Sequence, residues 1–387
     1  MAARPETYVQ FTGSCVVSPA NIEPNMILEA GLPTLYAPWL RTVTGGPIPA
    51  ETRATCQTCV MLPAPGGPAD GTYFHPATKC CAFQPHIPNF LAGRILMEED
   101  PSIQAGREEL ERRIARRVAI SPRWAGPGSV FDLLYRSTPN VFGRAPELRC
   151  QFLDANGGCG VWKHRPAVCS TWFCKHVRGA TGHNFWKVAD KLLQLVEQEL
   201  GLWCLAELKV GSAEVLAMSD QSSPDVSELG GEMNWGLYRK IWGDWVGREA
   251  DFYRACARLV DPLTWEQVER VSGPRVRILA QILSDAYKHL ESKALPERLR
   301  LGRIHFTGVE GGGFRIVGYS GFDPLLMPEK LARTLKYFDG KPIEETLEAI
   351  LTRENIRLDM NLVRKMVDFG ILQRCSSESD LLPIVNS

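Results

Sequence analysis

The longest regular patterns of apolar positions lie in the second half of the chain, where they predict α-helices. Apolar residues recur there at spacings of three, four and seven, as along the buried face of a helix. The first predicted helix covers residues 185–209 and the second covers 235–259. A third begins at Pro274, since proline suits the first turn of a helix. The apolar face of the first helix is formed by Val188, Leu192, Leu195, Val196 and Trp203.

Residues 299–375 predict a small α+β unit with its own core, called the C-terminal module below. The stretches RIHF and FRIV flank the glycine-rich VEGGG, which predicts two short strands joined by a turn. Three short helices are predicted to follow, over 328–338, 342–353 and 359–369, and Gly370 ends the last of them.

The first half of the chain lacks this regularity. Residues 1–55 are rich in Pro, Gly and Thr and are expected to be irregular, and residues 121–149 are expected to form loops. The charged stretch REELERRIARRVAI at 107–120 predicts one helix, which Pro122 stops. We therefore expect a protein that is α+β but mainly α, with its helices concentrated after residue 185.

Composition narrows the class of protein. The chain has 387 residues, of which 44% are hydrophobic and 23% charged, as in ordinary globular proteins. Lys+Arg and Asp+Glu both number 44, so bulk charge does not indicate nucleic acid or an anionic membrane as a partner. No apolar run reaches the roughly 18 residues of a membrane span, and no signal peptide is apparent. We expect a cytoplasmic protein.

Cysteine spacing is the strongest functional signal. Thiols stay reduced in the cytoplasm, so the twelve cysteines are unlike a disulfide framework. Eight of them form a CxxC pair, a CC pair and a final group spaced by eight, nine and four residues. A CxxC turn points two sulfurs at one ion, and four thiolates suit tetrahedral zinc or a cluster. The eight predicted metal ligands are Cys56, Cys59, Cys80, Cys81, Cys150, Cys159, Cys169 and Cys174.

The identity of the metal is left open by the residues. Eight thiolates could bind two zinc ions, and the adjacent Cys80 and Cys81 could serve two centres because neighbouring side chains point in different directions. Aromatic residues near the last cysteines, such as Trp162 and Trp172, would shield a cluster from water. We therefore expect an iron–sulfur cluster (4Fe–4S) or iron, with zinc as the alternative. The remaining cysteines are isolated, and Cys204 and Cys256 are expected in the core.

These residues resemble the YkgJ-type cysteine-cluster family, described as a zinc- or iron-chelating domain that includes flagellin lysine N-methylases. The matching parts are CQTC, CC, CQFL, Cys159, WKHRP, Cys169 and Cys174, within residues 56–205. Gln151 replaces a proline of the family pattern, and Trp162 replaces a tyrosine. The resemblance implies a bound metal or iron–sulfur centre. Its methylase members further imply methyl transfer from S-adenosylmethionine to protein lysine.

Arg165 lies inside the WKHRP motif and is the predicted cofactor-binding residue. It could donate hydrogen bonds to thiolates or to a cluster sulfide, or instead pair with a carboxylate of the fold. Several histidines near the cysteines are either replacement ligands or structural residues. They are His75, His86, His164, His176 and His183. Motifs for a phosphate-binding loop, a strand-linked GxGxxG or an HExxH zinc site are not found.

The C-terminal module resembles PqqD-like winged-helix domains, which recognise peptides. The resemblance is carried by LARTLKYFDGKPIEETLEAILTRENIRLDMNLVRKMVDFGIL, residues 331–372. It implies a peptide or protein partner, bound by strand addition at Arg303–Phe306 or Phe314–Val317. A module used only for packing or dimerisation is the alternative.

Together these expectations divide the chain into five parts. They are an irregular segment 1–55, an irregular cysteine-rich metal-binding domain 56–210, a helical region 211–298, a winged-helix-like unit 299–375 and a tail 376–387. The expected function is a metal- or iron–sulfur-binding protein that acts on a peptide or protein, by redox chemistry or methyl transfer. The alternative is a non-enzymatic partner-binding protein with structural zinc.

Overall fold

A computed structural model shows a mainly helical α+β chain, as the sequence predicts. The chain forms two units, each with its own packed interior. Unit 1 comprises Met1–Ile22, Cys174–Phe185 and Tyr287–Ser387, and unit 2 comprises Glu23–Phe173 and Trp186–Ala286. The structure describes residues 7–8, 32–49, 51, 59–62, 73–210, 233–309 and 313–375. Cys15, Cys56 and the tail 376–387 lie outside these residues.

The described helices are numbered in chain order. They are α1 Tyr36–Thr44, α2 Asn89–Met97, α3 Gln104–Arg116, α4 Ser129–Ser137, α5 Ala167–Ser170, α6 Gly179–Glu207, α7 Trp235–Trp242, α8 Glu249–Val260, α9 Trp265–Ser272, α10 Pro274–Glu291, α11 Glu329–Ala332, α12 Ile343–Glu354 and α13 Met360–Asp368.

The described strands are short. They are β1 Thr7–Tyr8, β2 Ile87–Pro88, β3 Trp124–Ala125, β4 Arg298–Leu301, β5 His305–Val309, β6 Gly313–Val317, β7 Leu325–Pro328, β8 Asp339–Pro342, β9 Ile356–Arg357 and β10 Leu372–Arg374.

Unit 2 is built around the packing of α2 on α8. Gly93 makes this contact possible, because an added Cβ would lie only 1.9 Å from the carbonyl oxygen of Tyr253. Phe90 and Ala257 are fully buried at the same contact. Strands β2 and β3 pair antiparallel beside α2, and the side chain of Asn89 ties them to α6 by donating to the carbonyls of Pro122 and Gly201 at 3.0 Å.

Unit 1 contains the C-terminal module. Strands β5, β6 and β7 form one antiparallel sheet, β10, β4 and β8 form another, and β1 pairs parallel with β9. The predicted hairpin is confirmed by the pairing of His305 with Val317. The three predicted helices are confirmed as α11 with the 3₁₀ turn Arg333–Tyr337, α12 and α13. Their apolar faces enclose a core that includes Leu299, Ile316, Leu335, Ile350, Met366 and Ile371.

Several expectations are wrong in the details. The predicted loop 121–149 contains β3 and α4, and the segment 1–55 contains α1. The predicted helix 235–259 is two helices, because Gly243 adopts φ 54° and ψ −128°, outside the range of other residues. Helix α3 ends at a left-handed Arg117, well before Pro122.

None of the helices in the described part of the chain combines the length and the apolar character that crossing a bilayer requires.

Candidate metal centre

The CC pair follows a tight turn in unit 2. Lys79 adopts the left-handed conformation with φ 52°, and its N–H donates to the carbonyl of His75 at 2.8 Å. The N–H of Cys81 donates to the carbonyl of Thr78 at 2.9 Å. This turn places Cys80 and Cys81 at its end, where the carbonyl of Cys81 accepts a 2.6 Å hydrogen bond from the N–H of Cys150. The CC pair therefore lies against the segment that carries the next cysteine.

The segment DANGG folds the chain back on itself between Cys150 and Cys159. The carboxylate of Asp154 accepts hydrogen bonds from the N–H groups of Asn156 at 2.8 Å and Gly158 at 2.7 Å. Gly157 has a left-handed φ of 75°, which glycine adopts without strain. Leu153 and Cys159 then form a β-bridge, while the N–H of Leu153 donates to the carbonyl of Cys150. Local turn chemistry thus brings two cysteines, separated by eight residues, to one loop.

The WKHRP motif leads into α5, which carries Cys169. Arg165 clamps this turn, because its guanidinium donates to the carbonyls of Trp162 and Cys169, both at 3.2 Å. The same guanidinium stacks 3.5 Å from the centre of the Trp162 ring. The predicted role of Arg165 in donating to thiolates is not tested by these bonds, which hold backbone carbonyls.

Four cysteine thiols influence one another electrostatically. Burial raises the pKa of Cys169 well above its usual range, and Cys150, Cys159 and Cys80 raise it further, while Arg165 lowers it. Burial likewise raises the pKa of Cys150 to about 11, with Cys80 adding to the shift. The four thiols come from three segments, 73–81, 149–160 and 162–170, called the cysteine segments below. The fold of unit 2 therefore places Cys169 within electrostatic range of three other predicted ligands.

A buried arginine on α3 supports the cysteine segments and was not identified from the sequence. Arg113 is 4% exposed, and its Nε donates to Glu109 at 2.9 Å. Its Nη atoms donate to the carbonyl of Gly126 at 2.5 Å and to the side chain of Gln151. Its positive charge lowers the pKa of Cys150. Its spacing of three from the buried Leu110 places it on the buried face of the helix, next to Glu109.

A buried glutamate on α6 was also missed. Glu197 accepts hydrogen bonds on Oε1 from the Tyr36 hydroxyl and, at 2.7 Å, from the N–H of Ala167 in the first turn of α5. Burial raises the pKa of this carboxyl to about 8. The sequence does contain a signal of its burial. Glu197 follows Val196 and lies three residues before Leu200, within the predicted apolar face of the helix.

Of the other four predicted ligands, Cys81 directly follows Cys80 in the CC pair. Cys56 lies outside the described residues. Cys59 is half-buried in the described segment 59–62, where the N–H of Phe74 donates to the carbonyl of Met61 at 2.8 Å. Cys174 is buried and belongs to unit 1.

The donor set fits a thiolate-ligated centre in kind but not in geometry. In kind it fits because Arg113 lies near the Cys150 thiol and Arg165 lies near the Cys169 thiol. In geometry it does not, because no group of three or more His, Cys, Asp or Glu side chains among the described residues is placed to hold one metal ion. No chemical step is therefore derived through a bound metal.

The histidines near the cysteines have hydrogen-bond partners of their own. In unit 1, Nδ1 of His176 lies 3.3 Å from the Tyr319 hydroxyl, and the His176 N–H donates to Asp323 at 3.2 Å. Burial, with the nearby His183, lowers the pKa of His176 to about 3. In unit 2, Nε2 of His164 lies 3.1 Å from Glu98. These contacts favour structural roles.

The core positions predicted for Cys204 and Cys256 are confirmed. Cys204 and Cys256 are fully buried in unit 2, and the Cys204 thiol donates to the carbonyl of Cys256 at 3.8 Å. Both are core residues, as expected from their helical positions.

Comparison with known proteins adds no further support. No protein-family model, curated protein or solved structure matches the chain. The interpretation of the site consequently depends on the motif residues and on the contacts described above.

Proposed function

We propose that this protein binds a thiolate-ligated metal centre, with Cys80, Cys150, Cys159 and Cys169 among the ligands. An iron–sulfur cluster (4Fe–4S) or iron is the proposed occupant, and zinc is the alternative. The observation that carries the proposal is that the Cys169 thiol lies within electrostatic range of Cys150, Cys159 and Cys80, and these four residues come from three separate segments of unit 2.

The thiols of Cys150 and Cys169 are buried, which raises the pKa of both. A buried thiolate is costly without a positive partner, and a metal ion supplies that partner while releasing the thiol protons. Arg113 and Arg165 add positive charge nearby, which offsets the net negative charge of a tetrathiolate centre. When bound, a cluster supplies electron transfer and zinc supplies a structural crosslink. Cys56, Cys59, Cys81 and Cys174 stay predicted ligands from their spacing.

We further propose that the C-terminal module binds a peptide or protein on which the centre acts. Strand β5 is at one edge of its sheet, and Phe306 on it is 47% exposed. An open strand edge beside an exposed aromatic side chain is suited to strand addition. Of the two predicted segments, Phe314–Val317 is wrong because β6 is paired on both sides, by β5 and β7. Methyl transfer from S-adenosylmethionine stays a prediction of the resemblance.

The test is anaerobic purification of the full chain followed by iron, sulfide and zinc analysis. For a cluster we expect iron together with sulfide and an absorbance band at about 400 nm. For zinc we expect a colourless protein with stoichiometric zinc. Serine variants of Cys80, Cys150, Cys159 and Cys169, made singly, should each lower the bound metal. The matched controls are Cys204→Ser and Cys375→Ser, which should leave the metal-to-protein ratio unchanged.

Two results would contradict the proposal. Full metal occupancy in a variant with all four cysteines replaced by serine would refute the ligand assignment. A chain that takes up neither metal in anaerobic reconstitution would refute the function.

A further inference from the structure

A cavity of about 480 Å³ lies in unit 2, within the size range of small-molecule sites. Its walls come from the segment after the CC pair, from β2 and β3, and from α4, α5 and α6. We call it the α6 cavity. Val168, the residue before Cys169, is part of its wall. The cavity is therefore adjacent to the cysteine segments but is lined by none of the predicted metal ligands.

The most buried polar residue that lines the α6 cavity is Glu197, which is only 8% exposed. Both of its hydrogen bonds fall on Oε1, from Tyr36 and from the N–H of Ala167. In the described part of the chain Oε2 has no hydrogen-bond partner, so it is the oxygen left to face the cavity.

The protonation of Glu197 decides what it offers a ligand. Since Oε1 already accepts two hydrogen bonds, the proton of the neutral acid resides on Oε2. Burial raises the pKa of Glu197 to about 8, which keeps the acid form at neutral pH. The carboxyl group then presents an O–H donor to the cavity rather than a negative charge.

The charged groups of the wall are mainly cationic. Arg123 and Arg136 both line the cavity, and Asp132 forms a 3.4 Å ion pair with Arg136. With Glu197 neutral, two guanidiniums and one carboxylate leave a net charge of +1. Guanidinium groups match the geometry of a carboxylate, to which they can donate two parallel hydrogen bonds.

Aromatic rings complete the wall. The indole of Trp124 lies in the cavity wall, with the Arg123 guanidinium 4.6 Å from its centre. Phe83 lines the cavity as well and packs against Tyr135 with ring centres 5.5 Å apart. Flat apolar surfaces of this kind suit a planar ligand body.

We propose that the α6 cavity binds a small organic anion that joins a carboxylate to a planar apolar body. The guanidiniums of Arg123 and Arg136 receive the carboxylate, the rings of Trp124 and Phe83 contact the body, and Glu197 donates to an acceptor atom of the ligand. This inference does not depend on the proposed metal centre.

Three probes of similar size but different charge test it: benzoate, benzamide and benzylamine. Binding to the full chain is measured by calorimetry and by quenching of tryptophan fluorescence. We expect benzoate to bind about tenfold more tightly than benzamide, because benzamide has no negative charge to attract the guanidiniums. Benzylamine should not bind, because its ammonium group is repelled by them.

Variants then assign the contacts. Arg123→Gln should weaken benzoate binding about tenfold, whereas Arg258→Gln, which removes an exposed charge elsewhere in unit 2, should not change it. Glu197→Gln should retain benzoate binding, because its amide can accept on Oε1 and donate into the cavity. Glu197→Met, of similar length, removes the donor and should weaken it.

Gly201 offers a variant that removes no polar group. It lines the cavity, and the nearest atom to an added Cβ is 3.7 Å away, so the Cβ of Gly201→Leu meets no clash and the rest of the side chain should block the ligand. A melting temperature measured for every variant confirms folding. The proposal is overturned if benzylamine or benzamide binds as well as benzoate. It is also overturned if benzoate fails to bind at about 10 mM, since a weaker affinity is not that of a specific site, or if folded Arg123→Gln and Gly201→Leu leave benzoate binding unchanged.

Discussion

The C-terminal module packs apolar side chains on one another, whereas the cysteine segments are shaped by hydrogen bonds to backbone groups. In the module, Ile350 and Met366 are fully buried within one apolar core. In the cysteine segments, Asp154 and Arg165 bond N–H and carbonyl groups of turns, and Lys79 holds a left-handed conformation. The packing of the module follows from apolar residues that recur at regular spacing in the sequence. The geometry of the turns depends instead on single polar residues.

The largest expected effect distinguishes the two regions by pH. The pKa of Glu197 is raised to about 8 from an ordinary value of 4.5. Between these pH values the folded state holds a proton that the unfolded state has lost, so the free energy of unfolding falls as pH rises. Above pH 8 both states have lost the proton, and the free energy of unfolding no longer changes through this group. At about 1.4 kcal/mol for each pKa unit, the loss is at most about 5 kcal/mol.

Hydrogen exchange at pH 5 and pH 8 measures this loss, once corrected for the intrinsic dependence of exchange on pH. Protection of α6 peptides from unit 2 should fall relative to protection of α12 in the C-terminal module. Glu197→Gln should remove most of the difference. An unchanged pH dependence in that variant would show that Glu197 is not its source.

The second effect concerns the buried arginine network. Arg113→Met removes the cation that bonds Glu109, Gly126 and Gln151, and should lower the free energy of unfolding by about 3 kcal/mol. Denaturant unfolding followed by tryptophan fluorescence measures it. Arg112→Met is the control, because that side chain is 52% exposed and its loss should cost about 0.5 kcal/mol. Equal effects of the two variants would contradict a special role for Arg113.

The smallest effect tests the packed core of the C-terminal module. Ile350→Val removes one methylene from a fully buried side chain and should cost about 1 kcal/mol. Local exchange rates in α12 report it. Ile278→Val, at a side chain 62% exposed, should cost almost nothing. Should both substitutions have the same effect, the core around Ile350 would be loosely packed.

The same contrast explains what could be predicted. The helices and the hairpin of the C-terminal module were predicted well because their apolar positions repeat at the period of the element. Strand β8 was missed, since its residues DGKP carry turn signals rather than alternation. The two helices around Gly243 were merged, because an apolar pattern does not record a backbone break.

For the site, the sequence predicted which residue types take part but not how their segments contact one another. Spacing included Cys80, Cys150, Cys159 and Cys169 among eight predicted ligands, but the hydrogen bond between Cys81 and Cys150 joins segments that no local pattern relates. Glu197 and Arg113 were missed because a charged residue in a helical pattern is normally exposed. Buried polar groups become visible only when their partners are known.

The Glu197 carboxyl also constrains the order of events during synthesis. It receives hydrogen bonds from Tyr36, which is 161 residues earlier in the chain, and from Ala167, which is 30 residues earlier. The turn that carries Cys169 leaves the ribosome before this carboxyl does. The N–H of Ala167 in that turn therefore has no acceptor until the part of α6 that carries Glu197 has been made. Loading of any cofactor that requires Cys169 in its final position therefore belongs after translation has passed residue 197.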